Sequence, residues 1–164
     1  MCSSDLAAFT AAGLQNNETI GSVTQTSQGA PATASVAGSP YTITPSNATG
    51  GTFTAGNYTI TYADGRLTVS PAPLTVTANN ASKSYGQTPT LAGTSFTSSG
   101  LQNSETIGSV TEVSAGTAPT AGVAGSPYTI TPSNATGGTF TAGNYTITYA
   151  DGRQIGRASC RERV

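Results

Sequence analysis

The feature that most constrains this 164-residue chain is an internal repeat. Residues 9–66 return as residues 96–153 at a constant offset of 87 and without a gap. Of the 58 aligned positions 48 are identical, and residues 36–66 match 123–153 without exception. A period of this length exceeds the roughly 20–45 residues of solenoid units, which cannot bury a face alone. It suits a small domain, somewhat below the common size of about 100–150 residues, that folds by itself. The chain therefore reads as tandem beads. Repetition also weighs against an enzyme, since a catalytic constellation seldom needs a second near-copy of itself one domain downstream. A spacer, by contrast, gains reach with every copy.

The repeat register fails at both ends. Met1-Cys2-Ser3-Ser4-Asp5-Leu6 has no counterpart in the residues before Thr94. After Arg66 the chain continues Leu67-Thr68-Val69, whereas after Arg153 it continues Gln154-Ile155-Gly156-Arg157. Both terminal strings look like translated sequencing-adapter DNA. A leucine codon beginning with C and interrupted by adapter AG even yields the glutamine at 154. They are set aside from fold reasoning as a fusion scar would be; a genuine basic tail is the alternative. The expected organisation is a non-native end at 1–6 and a first repeat at 7–70 whose opening strand is missing. A second repeat at 71–153, with its closing strand missing, and a non-native tail at 154–164 follow. Each copy should then carry an unpaired edge, which invites swapping or aggregation.

Between those limits the composition is narrow. Residues 7–153 contain no cysteine, so a disulfide between Cys2 and Cys160 is not inferred. Three basic residues against five acidic leave a net charge of −2, too weak and too acidic to attract a phosphate backbone. Nucleic acid is excluded as a partner. Threonine fills 30 of the 147 positions, and its branched Cβ favours strands. No apolar run is long enough to span a membrane. A cysteine-free chain rich in Thr, Ser and Gly and poor in charge is typical of long bacterial surface proteins, which points to an extracellular or cell-surface location.

Strand and turn signals outline one unit. Leu74-Thr75-Val76-Thr77-Ala78 alternates apolar and polar residues, as a half-buried strand does. Residues 101–110 are the one place where a short helical turn is expected, with Ser104 as its cap. Residues 110–113 and 121–123 read as weak strands. Tyr128-Thr129-Ile130-Thr131 alternates and stops at Pro132. Residues 144–149 alternate again, with Tyr145, Ile147 and Tyr149 on one face. Asp64-Gly65, between strand patterns, signals a tight hairpin. Pro71-Ala72-Pro73 reads as a stiff connector. The fold class is all-β or mainly β: a small β-grasp-like or sandwich module per repeat, with at most one short helical turn.

The order LTVTANNASKSYGQ, GLQNSETIG, AGSPYTI and GNYTITYADGRLTV resembles the bacterial MBG repeat of the YGX type. Tyr85-Gly86-Gln87 is similar to that family's namesake triplet, and the resemblance covers essentially all of residues 7–153. Asn103-Ser104-Glu105 departs from it, standing where a more Gly-Asp-like turn belongs. The resemblance implies tandem arrays in large secreted adhesins similar to filamentous haemagglutinin, a compact, mainly β, grasp-like fold, and no catalytic residues.

No histidine occurs, which removes the commonest general base and metal ligand. Of the carboxylates, Asp64 and Asp151 belong to Asp-Gly turns rather than to calcium loops, and Glu18, Glu105 and Glu112 are too few and scattered for a site. Six of the seven tyrosines, all but Tyr85, recur with the repeat, so core packing with a wet hydroxyl explains them better than a sugar-stacking platform. Gly50-Gly51 and Gly137-Gly138 lack the strand and lysine of a phosphate loop. Six Asn-x-Ser/Thr sequons, at Asn17, Asn47, Asn57, Asn80, Asn134 and Asn144, arise by chance in so Thr-rich a chain. Lys83, the only lysine, raises the idea of a covalent Lys–Asn or Lys–Asp crosslink. No catalytic, ligand-binding or metal residues and no cofactor are assigned. Two roles remain: a structural or adhesive stalk whose partners are its neighbouring repeats, and a repeat that itself binds a host glycan or surface protein such as mucin.

Overall fold

The structure, a computed structural model, describes residues 8–157. The expected non-native end at 1–6 and most of the tail, 158–164, lie outside the described residues. The chain divides into two compact units, Met1–Ser70 and Pro71–Val164. The first holds one antiparallel sheet in the order β1-β2-β3, from β1 (Ile20–Thr26), β2 (Tyr41–Gly51) and β3 (Gly65–Leu67).

The second unit is built from β4 (Ala72–Ala78), β5 (Ala81–Ser84), β6 (Phe96–Ser99), β7 (Ile107–Val113), β8 (Tyr128–Gly138), β9 (Tyr145–Ala150) and β10 (Gly152–Arg157). Its sheets run β5-β10-β8-β7 and β6-β4-β9. They share one core, in which Leu74 and Val76 of β4 meet Val110 of β7 and Tyr145 of β9. Phe96, Leu101, Ile107, Phe140, Ile147 and Tyr149 pack around that cluster. The unit is a mainly β sandwich, as the Thr-rich alternation implies. β4 is the middle strand of its sheet, antiparallel to β6 and parallel to β9, and its Leu74, Val76 and Ala78 all turn inward. Period-two alternation places them on one face.

That arrangement explains a difference between identical sequences. Tyr-Thr-Ile-Thr-Tyr-Ala forms β9 at 145–150, but the same six residues at 58–63 form no strand. Among the described residues β9 pairs with β4 alone, in parallel from Ala72↔Tyr145 to Thr77↔Ala150. No strand corresponding to β4 precedes residue 58 among the described residues. β-propensity is unchanged; the partner is what differs.

Several local expectations are corrected. Asp151-Gly152 is not a hairpin turn, because β9 and β10 lie in different sheets. Gly152 is needed for a close approach: a Cβ there would stand 2.6 Å from the Ala78 carbonyl oxygen. The helical turn placed at 101–110 does not form. Asn103 and Ser104 both adopt positive φ (52° and 58°), and the Glu105 N–H donates to the Gln102 carbonyl at 2.9 Å, so the chain makes a tight reversal before β7. Asn16 and Asn17 repeat this turn in the first unit, with φ of 52° and 56°. Helical structure among the described residues is confined to three-residue 3₁₀ turns, three of them in the second unit at Ala115–Thr117, Val123–Gly125 and Ala142–Asn144. Residues 121–123 accordingly form no strand. β8 does not stop at Pro132. β10 pairs with it only as far as Ile130, so beyond that point the proline has β7 as its single paired neighbour. Ala72 and Pro73 belong to β4 rather than to a connector, and Pro73 precedes the stretch that β6 pairs, which begins at Thr75.

The closing strand expected to be missing from the second repeat has its place filled. Gly152, Arg153 and Gln154 pair with Ile130, Thr129 and Tyr128, as Gly65, Arg66 and Leu67 pair with Ile43, Thr42 and Tyr41. Gly156 N–H donates to Ser126 Oγ at 2.9 Å, just as Val69 N–H donates to Ser39 Oγ at 2.9 Å. Backbone pairing tolerates the changed side chains, because it uses only N–H and C=O groups. Gln154 stands where the first copy has Leu67 and is 0 % exposed. Its Nε2 donates to the Gly116 carbonyl at 3.1 Å, but its Oε1 is buried without a partner. Such an orphan acceptor costs about 1–3 kcal/mol. Gln154→Leu should therefore raise stability by about 1 kcal/mol, after allowing for the donor that Gly116 loses. Urea unfolding measures this; a lower midpoint for the variant would contradict the placement.

Candidate functional site

The chemistry-bearing side chains are dispersed and engaged with their own backbone. The Tyr145 hydroxyl donates to a Glu105 carboxylate oxygen and accepts from the Gln102 N–H at 3.0 Å. Burial, together with that carboxylate, pushes the phenol above its ordinary value. Tyr58 repeats the pattern with Glu18 and the Gln15 N–H, and hydrogen bonding to Glu18 raises its phenol. The Tyr149 hydroxyl accepts from the Ala135 N–H at 2.8 Å, and the Tyr128 hydroxyl donates to the Gly122 carbonyl at 2.8 Å. Phe140 and Tyr145 rings lie 6.2 Å apart at 49°, a tilted contact reproduced by Phe53 and Tyr58 at 6.2 Å and 51°. A phenol held above its usual value beside a carboxylate is a poor proton donor. These pairs fasten the two-residue turn at 103–104 to β9, and its counterpart at 16–17 to Tyr58.

Lys83 is buried, and its Nζ donates to the main-chain carbonyls of Gln87 (3.2 Å) and Ala118. Carbonyls satisfy the ammonium without supplying the carboxamide and catalytic acid that a covalent crosslink requires. The structure thus gives Lys83 a tying role between the Tyr85-Gly86-Gln87 segment and residue 118. Tyr85 itself is 60 % exposed. Among the described residues no group of three or more His, Cys, Asp or Glu side chains could hold a metal ion.

Glu112 lies in β7 opposite Pro132, with Oε1 buried and unpaired. Burial raises its carboxyl above the ordinary 4.5. The first copy has Gln25 at this position. Because the folded state holds the proton more tightly, stability should fall as pH rises through the window just above 4.5. Glu112→Gln should abolish that decline and stabilise the chain at neutral pH. Denaturation midpoints of the two proteins across pH 4–8 check it; parallel curves would contradict the burial argument.

A groove of about 500 Å³ lies in the first unit, lined by Ile20, Val23, Ile43, Ala48, Ile60 and Tyr62 among others. Their counterparts in the second unit are Ile107, Val110, Ile130, Ala135, Ile147 and Tyr149; Ile130 is fully buried, and the other five belong to or pack against the cluster that holds Leu74 and Val76 of β4. Sequence reasoning found the unpaired edge but missed the groove. The signal was the absent partner of 58–63, whose meaning depends on knowing that β4 is a middle strand.

Taken together, the architecture defines a β-sandwich repeat module with its polar side chains tied into its own framework. Within that class, the chain belongs to the MBG domain (YGX type) family, whose model matches residues 4–68 and again 74–153. The first match begins inside the 1–6 segment, and the second ends at the residue before Gln154. No curated protein and no solved structure matches the chain. No helix among the described residues is long and apolar enough to cross a membrane.

Proposed function

We propose that these modules are structural spacers in a larger bacterial surface or secreted adhesin, holding a distal part of the protein away from the cell. The observation that carries this reading is a near-identical module repeated at 87 residues, each copy compact by itself. Between β3 and β4 only residues 68–71 intervene. A short connection between compact units makes length additive in copy number, which is what a stalk requires. Non-enzymatic function is supported by the lack of histidine and by tyrosine hydroxyls committed to hydrogen bonds within their own unit. The family membership supports a repeat module whose partners are its neighbours in the array. A location outside the cell rests on composition alone.

The alternative, a glycan- or mucin-binding repeat, would draw on exposed aromatic rings such as Tyr85. Engineered arrays of two, four and eight complete modules distinguish the two. A spacer should lengthen by a constant increment per module, measured by small-angle scattering, and give no saturable signal on a glycan array. Glycan binding that strengthens with copy number through avidity would replace the spacer reading with the binder.

A further inference from the structure

The strands that open and close the second unit lie side by side in one continuous register. β4 pairs in parallel with β9 from Ala72↔Tyr145 to Thr77↔Ala150, and β5 pairs in parallel with β10 from Ala81↔Gln154 to Ser84↔Arg157. The two ladders belong to different sheets, yet partners are 73 residues apart in both. Between them the Arg153 N–H donates to Asn80 Oδ1 at 2.7 Å, on the same offset of 73. Gly152 lets the chains close at this crossing: a Cβ there would stand 2.6 Å from the Ala78 carbonyl oxygen and 2.8 Å from that of Asn79. Residues 72–84 and 145–157 are thus two parallel arms paired along their length. Each is also held from its other side, β4 by β6 and β10 by β8. Leu74 and Val76 of the first arm and Tyr145 of the second meet in the buried cluster.

We propose that these paired arms are a mechanical clamp, by which the module bears tension along an array without unfolding. A preceding module joins through residues 68–71, so its pull reaches the N-terminal end of the first arm. In an array the following module joins after the second arm, as β4 follows β3, and pulls on that arm's C-terminal end. Because the arms are parallel, these two ends lie at opposite poles of the paired length, one where Ala72 meets Tyr145 and the other where Ser84 meets Arg157. Tension therefore slides one arm along the other, and every rung of both ladders bears load together. Antiparallel arms would bring both load points to one pole, where rungs open one at a time. Forced unfolding is set by the barrier along the pulling direction, so the shared load keeps it slow. The first copy carries Leu67-Thr68-Val69-Ser70 where the second carries Gln154-Ile155-Gly156-Arg157, and main-chain pairing is indifferent to that change. The direction of load rests on the spacer reading; the resistance belongs to the module itself.

The test pulls single molecules of the full chain in two directions, with Cys2→Ser and Cys160→Ser and with handles on introduced cysteines. Ser70→Cys with Arg157→Cys loads the arms in opposite senses. Ser70→Cys with Gly143→Cys puts both handles at the pole where Ala72 meets Tyr145, and a Cβ at 143 meets nothing within 4 Å. The two proteins should have the same urea midpoint, yet the first pair of handles should require a severalfold higher unfolding force. A force between 70 and 157 no greater than that between 70 and 143 would overturn the clamp. Array length is a separate readout: a constant increment per module together with equal forces would remove the clamp and leave the spacer standing.

Discussion

Everything in the complete unit depends on β4 entering between β6 and β9. One seven-residue strand supplies two of the most deeply buried apolar side chains of the core, Leu74 and Val76, and, among the described residues, the only strand partner of β9. It unites burial and pairing in a single element. A sheet that loses an edge strand keeps its other ladders, but one that loses its centre loses both ladders together. The first unit illustrates the consequence. Its β1-β2-β3 sheet keeps the register of β7-β8-β10, down to a matching irregularity between Ser22 and Thr24 and between Ser109 and Thr111. The three-stranded sheet is what disappears.

Much of this was legible in the residues. Alternation located β4, the start of β8 and most of β9; the repeat suggested that the second copy lacks a closing strand, but β10 takes that place. What remained hidden was pairing order, which no local pattern encodes. Asp-Gly suggested a hairpin because that dipeptide tolerates positive φ, yet here the glycine is selected for contact with the backbone at Ala78 and the chain crosses between sheets. The 101–110 segment looked weakly helical, but Asn103 and Ser104 reverse the chain in the left-handed region instead. Proline at 132 read as a strand end because a middle strand cannot spare an N–H. It is tolerated because β10 has already finished pairing.

The side-chain chemistry follows the same logic. Tyrosines read as core residues with wet hydroxyls turned out to use those hydroxyls on main-chain N–H and C=O groups and on Glu105 or Glu18. The lone lysine is buried against two carbonyls. Gln154 shows the converse: backbone pairing accepts almost any residue at a closing strand, but the core behind it prefers leucine, and the unpaired Oε1 marks the mismatch. Backbone complementarity decides where segments go, and side-chain fit decides how firmly they stay.

The central claim, that an identical segment is or is not a strand according to whether β4 lies beside it, is open to direct measurement. Residue-resolved amide exchange by NMR would compare positions 58–63 with Tyr145–Ala150 in the same molecule. The amides of the second set should be protected by orders of magnitude, while those of the first exchange near the rate of an unstructured chain. Equal protection in the two copies would show that the strand forms without its partner, and the account built on β4 would fail.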